Sequence, residues 1–278
     1  MTSKRINIPH RMRVLLALIR KFRDQVTTEN MQALLFMYCH YYANNGAYHF
    51  IPVAGKPISL QAQEDYRWFV KKGLLSNDHE VIAEFPKSYA QLDIFEEAAL
   101  QQLKKYGIKQ VDYQQAWDSY TSCIKQESAI NSHHILYTIG YEGRGIEEYI
   151  NTLLLHQIAV LCDVRYTPFS QKYGFSGSDL QAALALVNIQ YIHMPELGVS
   201  VEQRRNMEDS HIHYNLLQKY EQSLPQKSQH LQTLLSVLQK HRRIAITCFE
   251  RNYRACHRSK IASWLAQHKA FEYKIEHL

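Results

Sequence analysis

The sequence predicts an α/β fold: a mostly parallel sheet of about five strands flanked by helices, with a helical domain ahead of it. Two observations carry this. After residue 130, four short β-prone runs, HILYTIG, IAVLCDVR, IQYIHMP and RIAITCF, are separated by helical stretches, the signature of βαβ units. Before residue 130, apolar residues recur at helical spacing instead. The expected organisation is a helical domain with a linker over residues 1–130 and an α/β domain over residues 131–278.

Taken in order, RMRVLLALIRKF and TTENMQALLFMYCHYYANN read as helices, the second with Thr27 or Thr28 as a cap ahead of Glu29. NNGAYHFIPVAGKPIS then supplies Gly and Pro punctuation around two short extended pieces. LQAQEDYRWFVKKGLL returns to helix, and Gly73 stops it. With the β-prone EVIAEF behind it, the order is that of a winged helix-turn-helix, so the first domain reads as winged-helix-like. Residues 88–132 read as a polar, helical connection between the halves.

In the second half the helices are legible from their apolar faces. Ile146, Tyr149, Ile150, Leu153 and Leu154 repeat at i, i+3, i+4, i+7 and i+8. Leu180, Ala183, Leu184 and Val187 do so behind a cap at Ser176 or Ser178, and Leu231, Leu234, Leu235 and Leu238 behind Pro225. The tail FEYKIEHL alternates apolar and polar residues, so it reads as a fifth strand, and its place at the chain end favours an edge.

Composition narrows the function classes. With 278 residues, 46% hydrophobic and 21% charged, the chain lies inside the globular range, which excludes global disorder. A net charge of +6 permits an anionic partner without demanding one. Five cysteines, an odd number scattered along the chain, argue for a reducing compartment over a disulfide framework. Of these, Cys39, Cys123 and Cys162 read as core fillers. The basic start mimics a signal peptide, but its apolar run from Val14 to Ile19 is short and closed by Arg20. No run approaches the roughly 20 apolar residues of a spanning helix, so the expectation is a cytoplasmic protein with no membrane association.

Each β-prone run ends in a polar cluster: GYEGRG, DVRYTPFS, HMPELG and CFERNYRACHR. In an open parallel sheet the carboxyl ends of the strands share one edge, and ligands bind in the crevice outside it. The topology therefore expects Glu142, Arg144, Asp163, Arg165, His193, Glu196, Cys248, Glu250, Cys256, His257 and Arg258 to meet there. These motifs resemble the domain of unknown function family 488 (DUF 488): GYEGR at Gly140 to Arg144, DVR at Asp163 to Arg165, PELG at Pro195 to Gly198, and CFE with CHRS at Cys248 to Ser259. The resemblance covers roughly Ile135 to Leu278 and implies the fold and a pocket at the strand ends. More weakly, YHFIPVAGKPIS resembles a segment of the winged-helix-like module that precedes some such domains. The reaction must come from the side chains.

Three readings of the last cluster compete. A thiol reading makes Cys256, at the start of a helix beside Arg254, Arg258 and His257, a nucleophile with Cys248 as partner. A metal reading uses Cys248, Cys256 and His257, with His193 as a further candidate, but adjacent Cys256 and His257 are an unusual chelating pair and no Cys-x-x-Cys is present, so neither a metal site nor a cofactor is expected. A carboxylate reading sets Glu250, Asp163, Glu196 and Cys248 as the reacting groups, with Glu142, Arg144, Arg165, His193, Cys256, His257 and Arg258 lining the substrate. Close carboxylates split their pKa values into an acid and a base, as cleavage of a glycosidic bond requires, and arginines suit phosphate. The leading expectation is an enzyme acting on a nucleotide or nucleic-acid base; the rival is a non-catalytic sensor. Ahead of it, Arg11, Arg13, Arg20 and Lys21 lie in an acid-free stretch that suits nucleic-acid phosphates, with homodimer or protein docking through the same domain as the alternative.

Overall fold

The structure, a computed structural model, describes residues 8–23, 25–27, 30–76, 87–125, 134–200, 210–268 and 271–278. The chain divides into two compact units, Met1–Cys123 and Ile124–Leu278. Each has its own apolar cluster.

The first unit is built on α1 (His10–Lys21), in which Met12 and every residue from Val14 to Ile19 are buried. Such all-round burial makes α1 a core helix. Then α2 (Met31–Met37) runs into a π-turn at Tyr38–Tyr42. Its N-cap is Asn30, and Thr27 and Asn30 exchange side-chain-to-backbone hydrogen bonds, while Thr28 lies outside the described residues. The strands β1 (Ile51–Val53) and β2 (Lys56–Ile58) form an antiparallel hairpin ahead of α3 (Leu60–Lys71). The expected strand EVIAEF and Glu29 lie outside the described residues. Two further helices, α4 (Ile94–Tyr106) and α5 (Gln110–Lys125), complete this unit and occupy most of the segment read as a connection.

The second unit alternates as expected: β3 (Ile135–Gly140), α6 (Ile146–Leu155), β4 (Val160–Asp163), α7 (Gly177–Ala185), β5 (Gln190–His193), α8 (Ser210–Ser223), α9 (Ser228–His241), β6 (Arg243–Cys248), α10 (His257–Ala266) and β7 (Lys274–His277). The strand order is β5-β4-β6-β3-β7 and every pairing is parallel, with the tail strand at an edge. Alternation along the strands separates two faces. Leu136, Val160, Cys162, Val164, Ile244 and Ile246 cluster with Tyr220 of α8, Leu231, Leu234, Leu235 and Leu238 of α9, and Ile261, Ala262 and Leu265 of α10. Residues of the other parity face α6, where the Tyr149 hydroxyl donates to Thr247 Oγ1 at 2.8 Å. Connections leave the adjacent strands β3 and β6 toward opposite faces, the topology in which α/β sheets bind ligands beyond the strand ends. Among the described residues no helix is long and apolar enough to cross a membrane.

Candidate functional site

Eight of the eleven expected site residues fall into two clusters, because Asp163 and Cys248 face opposite sides of the sheet. On the α6 side, Asp163 and Arg165 form a buried ion pair, with 0% and 3% of their surfaces exposed. Arg165 Nε donates to both carboxylate oxygens at 2.8 and 3.0 Å, and Tyr191 donates to Oδ2 at 2.7 Å. Nη2 also donates to Asp163, and Nη1 donates to the Tyr141 hydroxyl at 3.0 Å and the Phe175 carbonyl at 2.8 Å. Burial by itself would lower the Arg165 pKa, but the hydrogen bonds and charge of Asp163 outweigh it and raise the value. His193 Nε2 lies 2.9 Å from the Arg165 carbonyl and so donates to it.

On the α10 side, Cys248 ends β6 and Cys256 and His257 open the helix, all three buried. His257 Nε2 stands 3.0 Å from the Val164 carbonyl. A carbonyl only accepts, so Nε2 carries a proton and Nδ1 points the other way. It points at both sulfurs, Cys248 Sγ at 3.7 Å and Cys256 Sγ at 3.9 Å. The Tyr220 ring stands edge-on to the imidazole, centroids 5.2 Å apart. Burial pushes the Cys256 thiol well above its usual range, with the Cys248 sulfur adding to the shift. A thiol held protonated in this way is a poor nucleophile.

Glu250 joins this second cluster. Burial pushes its carboxyl up, but hydrogen bonds from Cys256, from its own backbone and from Cys248, together with the His257 ring, hold it below the usual carboxylate range. Its Oε2 is buried and has no hydrogen-bond partner among the described residues. The chain is placed tightly here: the fully buried Arg258 donates to the carbonyls of Glu250 and, at 3.0 Å, of Arg251. Gly140 makes room on the other side, since a Cβ there would lie 1.9 Å from the Glu250 carbonyl oxygen.

The remaining expected residues lie around these clusters. Glu142 is exposed and accepts the Arg251 amide at 2.9 Å, tying the first strand-end loop to the last. Arg144 turns to Thr152 on α6 at 3.2 Å. Glu196 is half exposed, 3.8 Å from His230. In the first unit, Arg11 is paired with the buried Asp65 at 2.8 Å, and Arg13 Nε is buried without a partner. Arg20 and Lys21 line a cleft of about 370 Å³ with Lys104 and Glu97, and Lys21 pairs with Glu97 at 3.2 Å. Sequence reasoning passed over Tyr141, Tyr191, Phe175 and Tyr220. Tyr141 lies within the GYEGR motif, and Tyr191 carried a signal in its period-two relation to His193 on one strand.

A doubly covered parallel sheet with buried polar clusters at its carboxyl ends defines an α/β protein. Within it, residues 145–265 match the model of the family described as Domain of unknown function DUF488. The matched stretch contains the DVR, PELG, CFE and CHRS motifs and begins one residue after GYEGR. No curated protein and no solved structure matches the chain significantly.

Proposed function

We propose that the second unit is an enzyme acting on a nucleotide or nucleic-acid base, with Glu250 as the acid–base group. The carrying observation is the buried, unpartnered Oε2 of Glu250 beside two thiols and an imidazole. Such an atom costs stability unless something else engages it, so a substrate or a water is its natural partner. Asp163, by contrast, is spent on Arg165 and Tyr191 and acts as a positioning residue. Around Glu250, the exposed part of the same loop presents Phe249, Arg251 and Arg254 outward. Tyr166 and Phe169, 46% and 70% exposed, follow β4 at the same edge. Aromatic faces stack on bases and guanidinium groups hold phosphate, which favours a nucleotide over a neutral sugar.

In the hydrolytic form of this chemistry, Glu250 takes a proton from water while the water oxygen bonds to the anomeric carbon. The carbon–nitrogen bond breaks and the base leaves with the proton that Glu250 returns. Nucleosides, nucleotides and single-stranded oligonucleotides incubated with the full chain should yield free base by liquid chromatography and mass spectrometry. Glu250→Gln should cut that release by roughly 100-fold or more while the melting temperature holds. If wild type releases or alters no base in any of these substrates, the reading fails.

A further inference from the structure

We propose that Cys248, Cys256 and His257 form a zinc site. Their ligand atoms all lie within 4.8 Å of one another, although the residues are split between a strand end and a helix start. A tetrahedral zinc with bonds of about 2.3 Å to sulfur and about 2.05 Å to nitrogen holds those two atoms about 3.6 Å apart. The two sulfur-to-Nδ1 distances, 3.7 and 3.9 Å, are within a few tenths of an ångström of that. Two thiolates and an imidazole are also the donor set that zinc prefers over harder oxygen-seeking cations.

An independent observation concerns the imidazole. A metal-binding histidine commonly donates its other ring nitrogen to a carboxylate or a backbone carbonyl, which fixes tautomer and ring orientation. His257 does this with the Val164 carbonyl at 3.0 Å, and the edge of Tyr220 holds the ring from the side. Val164 lies between Asp163 and Arg165, whose buried pair holds this strand end in place. The ion-pair cluster on one face of the sheet thus orients the ligand cluster on the other. Three protein ligands leave zinc a fourth position open.

The site stands on its own geometry, whether or not the substrate is a nucleotide. The full chain is stripped with a chelator, reloaded with zinc chloride, dialysed and assayed for bound zinc. Wild type should retain one zinc per chain. Cys248→Ser and Cys256→Ser should weaken binding by roughly 100-fold or more, since even the loss of an outer-shell partner costs about 10- to 100-fold. On wild type alone, zinc should slow alkylation of Cys248 and Cys256, located by peptide mass spectrometry, which keeps the test valid if a variant fails to fold. Cobalt in place of zinc should show a thiolate-to-cobalt charge-transfer band. A reloaded wild type without zinc, or alkylation rates indifferent to zinc, overturns the site. No turnover is read, so this result and the fate of the nucleotide reading are separate.

Discussion

Asp163 and Arg165 stand two residues apart on a strand end, a spacing that puts both side chains on one face. Their bond is closed to water, and Tyr191, Tyr141 and the Phe175 carbonyl take up the polar atoms left over. Removing one partner from such a pair leaves a buried charge unpaired, which costs about 3–5 kcal/mol. Asp163→Asn should therefore lower the unfolding free energy by about that amount in urea titration. A variant as stable as wild type that has lost only turnover would instead make Asp163 a reacting group. Glu250 is the contrasting case, a carboxylate whose second oxygen has no hydrogen-bond partner among the described residues. Two carboxylates with similar sequence surroundings thus differ in whether the fold has left them anything to do.

The element that decides the site is the segment between β6 and α10. It leaves the strand at Cys248, turns through a 3₁₀ turn at Tyr253–Ala255 and enters the helix at His257, so two thiols eight residues apart return to one point. Arg258 grips its carbonyls from within, and the approach to β3 is so close that only a residue without a side chain fits at Gly140. Gly140→Ala should displace the Glu250 carbonyl and cost about 1–3 kcal/mol, the range for forced overpacking, read as a lower denaturation midpoint. Unchanged stability would mean that the segment is free to move away. A similar constraint operates at Gly198, where a Cβ would lie 2.3 Å from the Tyr166 amide nitrogen.

For the whole molecule, the notable feature is that the apolar clusters do not share residues: one draws on Ile8 to Tyr120 and the other on Leu136 to Ile275. A unit with its own core folds on its own. A fragment spanning Ile124–Leu278 should melt in one cooperative transition by calorimetry, with the near-ultraviolet dichroism of a packed core. A fragment that keeps its helix signal but melts without a transition would show that the second unit depends on the first. In the first unit, the basic residues at the start of the chain are partly spent internally, since α1 is a core helix and Arg11 and Lys21 pair with Asp65 and Glu97.

The succession of β-prone runs and helical stretches, the edge position of the tail and the gathering of polar motifs at the strand ends could all be read from residue order. Each depends on local periodicity and on the rule that parallel strands end together. The division of those motifs between two sides of the sheet was also implicit in strand parity, once the strand limits at Asp163 and Cys248 were known. Residue order also brought Cys248, Cys256 and His257 to one place, but it could not convey that their ligand atoms lie within 4.8 Å of one another. Spacing rules for metal ligands describe short chelating loops, and here one ligand comes from a strand end and two from a helix start eight and nine residues on. Their distances are set by the path of the connecting turn, by Arg258 and by the room at Gly140, none of which is a property of neighbouring residues. The direction of His257 Nδ1 was likewise hidden, because it follows from a carbonyl 93 residues earlier in the chain that becomes a neighbour only when β4 and β6 pair.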